Sequence, residues 1–182
     1  MSVIGLVVLL RAGIANEDLW QIVSFSIFGA SLILLYSASA AYHLLNVPSS
    51  VELVLRKLDH IMIFVLIAGT YTPVCLGPLR GATGYVILTI IWALAIAGVF
   101  FKVFYLNAPR WLYTGIYLAM GWLIIFATGP LVRAVGLHIL SWLLIGGVFY
   151  SIGAVIYGLK KPDPFPGRFG FHEIFHIFIL LG

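Results

Sequence analysis

Seven apolar runs, at about 2–15, 20–46, 58–78, 83–105, 109–128, 131–159 and 169–182, divide the chain, each bounded by charges, proline or glycine. Most reach the roughly 20 residues that a helix needs to cross the hydrocarbon core of a bilayer. The expected fold class is therefore an all-α integral membrane protein, a seven-transmembrane helix bundle that forms one domain over residues 1–182. No room is left for a soluble domain, and 63% hydrophobic residues, 9% charged residues and a mean hydropathy of +1.14 exclude an ordinary soluble chain. The first and last runs are short, so those two helices read as truncated. The opening stretch MSVIGLVVLL has no basic region ahead of its apolar residues, which argues against a cleaved signal peptide.

Charge orients the bundle. The loops after the second, fourth and sixth runs hold Arg56, Lys57, Lys102, Arg110, Lys160, Lys161 and Arg168, whereas those after the first, third and fifth hold Arg11, Arg80 and Arg133. Cytoplasmic loops are the ones enriched in Lys and Arg, so the N-terminus is expected inside and the C-terminus outside. Lys102 is expected to snorkel to the inner interface. The net charge of +4 needs no nucleic-acid partner, and the single cysteine, Cys75, reads as a small core residue.

That orientation brings three imidazoles and a carboxylate to one depth. His43 lies about one turn inside the membrane at the cytoplasmic end of the second helix, and Asp59 is expected in the first turn of the third. His172 and His176, within HEIFH, occupy the first two turns of the seventh helix on one face. Ionisable groups inside a membrane are costly and usually mark a functional site. Three neutral imidazoles with an open fourth position make the ligand set of a catalytic zinc, whereas a structural zinc would be closed by a fourth side chain. The bland alternative is a set of half-hydrated interfacial histidines. His138 sits at the opposite end of the sixth helix, out of reach. His60 competes for the metal-facing place but points about 100° from Asp59; Asp59 inward, with His60 packed or hydrogen-bonded, is preferred.

The segments SASAAYH (37–43), KLDHIMIFVLIAGTYTP (57–73) and HEIFH (172–176), in this order on seven helices, resemble the hemolysin III family, the bacterial branch of the progestin and adipoQ receptors. The resemblance covers essentially the whole chain. It implies a zinc held by His43, His172 and His176, with Asp59 touching the metal through a bound water and Ser39 close by. The wider superfamily is similar to alkaline ceramidases, which hydrolyse a lipid amide.

HEIFH also reads as the H-E-x-x-H of zinc proteases, in which the glutamate is the base and a third ligand usually follows. Only Ile177 to Gly182 follow here, and none carries a ligating side chain. Glu173 lies about 100° around the helix from His172 and reads as a carboxylate at a helix N-terminus, favoured by the dipole and paired with Arg168 or Lys161. Ser39, among alanines, is either a small packing residue or a donor to the metal water or a substrate carbonyl. Pro73 is expected to kink the third helix, and Trp20, Trp111 and Tyr157 to anchor helix ends at the interface.

Two function classes stay open. One is a zinc-dependent hydrolase of a lipid amide or ester, with Asp59 accepting the proton and Ser39 stabilising the oxyanion. The other is a non-enzymatic receptor-like or membrane-homeostasis protein whose zinc staples helices; few polar residues leave no evident pore, so cytolysis reads as secondary. An intramembrane metalloprotease is the lesser alternative. The expected partners are membrane lipids, and the expected location is a bacterial plasma membrane.

Overall fold

The computed structural model describes every residue except Met1, Leu106, Asn107, Pro166, Gly167 and Arg168. Its residues fall into two compact units, 1–106 and 107–182. The first contains α1 (Ser2–Ala15), α2 (Leu19–Leu44), α3 (Ser49–Leu76) and α4 (Ala82–Phe104). The second contains α5 (Arg110–Gly121), a 3-10 segment (Trp122–Ala127), α6 (Thr128–Leu159) and α7 (Phe171–Leu181). Among the described residues there is no strand, only an isolated bridge between Phe165 and Phe169. Three helical stretches, 19–44, 82–104 and 110–159, are long and apolar enough to cross a membrane.

In the first unit α3 is central, packed against both α2 and α4. Its buried residues Ile61, Phe64, Ala68, Cys75 and Leu76 recur at helical spacing, and Cys75 is the expected small core residue. Small residues let the helices approach closely, as in membrane bundles generally. Gly69 meets Ser31 of α2, Gly98 meets the Phe64 ring, and Gly29 meets Leu6 of α1. At Gly69 and Gly98 there is no space for a Cβ, so Gly69→Val is expected to lower stability by about 1–3 kcal/mol through overpacking. Gly115 has nothing within 4 Å of an added Cβ. Gly115→Ala should therefore leave the melting temperature in detergent unchanged or raise it, and comparing the two midpoints checks the close approach.

Two expectations are corrected here. Helix α3 starts at Ser49, nine residues before the apolar run, so Asp59 lies in its third turn and not its first. Pro48 sets up the start: its carbonyl accepts from the amides of Val51 and Glu52, and Glu52 favours the positive helix end. Hydropathy marks where lipid begins, while the amphipathic stretch SSVELVLRK is helical before that point. Lys102, expected to snorkel to the inner interface, is only 2% exposed and sits within the electrostatic reach of Arg56 and His60.

In the second unit α5 packs back along α6. The Trp122 indole donates to Ser151 Oγ at 2.9 Å, and the Arg110 guanidinium lies 5.3 Å from the Tyr157 ring centre. The reversal uses the 3-10 segment and Gly136, whose φ of 80° interrupts α6. That conformation suits glycine, which has no Cβ to clash. The break thus falls later than the 129–130 boundary that the apolar runs suggest. Helix α6 ends at Leu159, with Lys160 in a left-handed C-cap (φ 55°). Helix α7 then runs antiparallel along α6: Gly153 meets Phe178, and Gly146 meets Gly182.

Candidate metal centre

Helix α7 presents the imidazole pair. His172 and His176 are one turn apart, with ring centres 4.6 Å apart and planes nearly perpendicular. Two nitrogens from rings at this spacing are able to share one small cation at bond lengths of about 2 Å, so the donor chemistry fits zinc. An aromatic clamp fixes the pair. Tyr157 of α6 lies 4.9 Å from the Phe175 ring centre and 6.5 Å from His172, and Phe175 packs 5.2 Å from His176. Tyr157 therefore packs α7 onto α6. The aromatics at 157, 171 and 175 were legible as residues, but their convergence required the antiparallel register of α6 and α7.

Glu173 has a structural task. Its Oε2 accepts the Gly170 N–H at 2.8 Å, closing the start of α7 in the manner of a capping box. Its Oε1 lies 3.8 Å from His172 Nδ1, too far for a hydrogen bond. No pairing with Lys161 forms among the described residues, and Arg168 lies outside them.

The first unit supplies the other residues. Helices α2 and α3 are joined by residues 45–48 and packed as an antiparallel hairpin, with Ser31 against Gly69. Advancing twelve residues along α2 to His43 retreats twelve along α3 to Lys57. His43 and Asp59 are thus level to within about one turn, and Ser39 is level with Ile61. His43 is exposed on its unit, whereas Ser39 and Asp59 are half-buried. The His43 ring packs 4.7 Å from Tyr42. His60 is hydrogen-bonded within its own helix, Nδ1 lying 2.7 Å from the Arg56 carbonyl. A carbonyl only accepts, so Nδ1 carries the proton in the neutral ring.

His138 is remote from the α7 pair within the second unit. Nineteen residues of α6 separate it from Tyr157, about 28 Å along a helix, and it packs 6.3 Å from Trp142. Within either unit, no three His, Cys, Asp or Glu side chains among the described residues form a metal-holding group.

The family model described as "Haemolysin-III related" matches residues 1–182. The chain is 42% identical over all its 182 residues to the hemolysin-3 homolog of Bacillus subtilis, covering 82% of that protein. It is 40% identical over the same length to hemolysin-3 of Bacillus cereus, covering 80% of it. A more distant relative, the human monocyte to macrophage differentiation factor, is 26% identical over 172 residues, which cover 90% of this chain and 67% of that one. No solved structure matches.

Proposed function

Because the chain belongs to the haemolysin III family of membrane proteins, we propose that it is a seven-span zinc protein which hydrolyses a lipid amide or ester at the cytoplasmic face of a bacterial plasma membrane. His43, His172 and His176 would hold the metal. The observation that carries this reading is the α7 imidazole pair, 4.6 Å between ring centres, clamped by Tyr157 and Phe175. Bound there, zinc supplies Lewis acidity and a water activated near neutral pH.

The chain's own residues do the rest. Asp59, half-buried and level with His43, accepts the proton released when water adds to the carbonyl. Ser39, a turn from His43 along α2, donates a hydrogen bond to the carbonyl oxygen as charge develops on it. Glu173 holds the start of α7 and so positions His172. The lipid reaches the site from the bilayer, whose hydrocarbon meets the many exposed apolar side chains of α2, α4 and α6. A panel of ceramides and simple acyl amides, with metal-stripped protein as control, tests the activity: zinc-dependent turnover of at least one of them is expected, and its absence throughout favours the second reading.

That second reading is a receptor-like or membrane-homeostasis protein in which the same zinc only staples helices. It draws on the same imidazole pair, since a metal that binds only the folded chain stabilises the fold whether or not it acts on a substrate. A protease of H-E-x-x-H type is disfavoured because the Glu173 carboxylate is engaged by Gly170.

The loop charges favour an N-terminus inside and a C-terminus outside. Reporter fusions should therefore report a cytoplasmic N-terminal tag and an external C-terminal tag. A cytoplasmic C-terminus would remove the common depth of His43, Asp59 and the α7 pair.

A further inference from the structure

At the other end of the first unit, away from His43 and Asp59, the start of α2 and the end of α3 enclose a groove of about 530 Å³ that the proposed reaction does not use. Asp18, Gln21, Phe25, Pro73, Leu76 and Arg80 line it. Acceptor and donor groups stand side by side over an apolar floor.

The polar groups are incompletely engaged. Asp18 caps α2 through Oδ1, which accepts the amides of Trp20 at 2.9 Å and Gln21 at 3.3 Å. The Arg80 guanidinium also faces Oδ1, but at 4.0 Å, beyond hydrogen-bond length. Among the described residues, Oδ2 keeps its full acceptor capacity. Gln21 receives a bond from Asn16 at Oε1, 3.2 Å, so its two amide hydrogens remain available as donors. The groove therefore offers a carboxylate oxygen, an amide donor and a guanidinium fork.

Trp20, 46% exposed beside Asp18, marks the depth. Tryptophan on a membrane protein concentrates at the headgroup level, so the groove opens where lipid headgroups lie. Its floor of Phe25, Pro73 and Leu76 suits a glycerol backbone and the first acyl carbons, which a soluble ion lacks. A planar guanidinium matches a phosphate bidentately. A carboxylate without an aromatic cage selects a primary ammonium, which donates hydrogen bonds, over a quaternary one, which donates none.

We infer that this groove is a binding site for a zwitterionic phospholipid with a primary ammonium, of the phosphatidylethanolamine class. Arg80 takes its phosphate, Asp18 its ammonium and Gln21 an ester oxygen. The site is independent of the metal reading.

The test reconstitutes the full chain in nanodiscs of equimolar phosphatidylethanolamine, phosphatidylglycerol and phosphatidylcholine, repurifies it in mild detergent and counts retained lipids by mass spectrometry. Wild type should retain phosphatidylethanolamine over either competitor by about threefold, a ratio within reach of one partly exposed charge contact. Asp18→Asn keeps the helix cap but not the charge. It should bring phosphatidylethanolamine and phosphatidylglycerol to equal retention at an unchanged melting temperature. Arg80→Gln should lose both, and Arg80→Lys, which keeps the charge without the fork, should fall between. Equal retention of all three lipids by wild type overturns the site, as does a preference that survives both Asp18→Asn and Arg80→Gln. Displacement of the retained lipid by millimolar soluble phosphoethanolamine overturns the assignment to a lipid, since a free headgroup would then suffice.

Discussion

Replacing His172 with alanine is expected to reduce the zinc that copurifies with the chain from about one per molecule to below a tenth of that. Zinc held by protein side chains contributes apparent binding free energies on the order of 10 kcal/mol in small structural sites, and each imidazole lost removes a large share. The same substitution should lower the melting temperature, because metal that binds only the folded state stabilises it. His172 also packs beside Tyr157, 6.5 Å between ring centres, so some destabilisation follows from packing alone. Measuring the melting temperature of wild type and variant with and without chelator separates the two: only wild type should respond to metal removal. His138→Ala, near the far end of α6, should change neither zinc content nor the chelator response. A zinc content unaffected by His172→Ala would mean that the α7 pair is not a ligand pair.

Asp59→Asn is expected to retain much of the zinc and to lose lipid amide hydrolysis by about 10²–10⁴, the usual range for removing a positioned general base. The carboxamide has nearly the shape of the carboxylate but cannot take a proton. Glu173→Gln should leave turnover within a few-fold of wild type, because its role is to accept the Gly170 amide, and a glutamine Oε1 accepts the same bond. The protease reading reverses this pair, with Glu173→Gln inactive and Asp59→Asn active. The structural-zinc reading has no turnover to lose in either. Rates and zinc contents of the two variants therefore choose among the three accounts.

The helices were legible because lipid demands length and apolarity, signals that survive without any knowledge of packing. Apolar runs located α1, α2, α4 and α7 to within about three residues at each end. They failed where helix and membrane part company. The first nine residues of α3, carrying Glu52, Arg56 and Lys57, form a polar-faced helix that hydropathy cannot distinguish from a loop. The 3-10 segment 122–127 and the break at Gly136 lie within apolar sequence, where only backbone geometry reveals them. Among site residues, the pairing of His172 with His176 follows from four-residue spacing alone, and Glu173 at a helix start reads as a dipole-favoured carboxylate from position, whereas its bond to the Gly170 amide does not. The burial of Lys102 and the clamp of Tyr157 on the histidine pair depend on neighbouring helices, so no local pattern announced them.

The central claim is that one zinc draws His43 from α2 together with His172 and His176 from α7. Zinc content per chain, measured side by side on purified wild type, His43→Ala and His60→Ala, tests it most directly. About one zinc in wild type, almost none in His43→Ala and about one in His60→Ala is the predicted result, since His60 points about 100° around α3 from Asp59. Zinc that persists in His43→Ala and disappears in His60→Ala would contradict it and move the third ligand from α2 to α3.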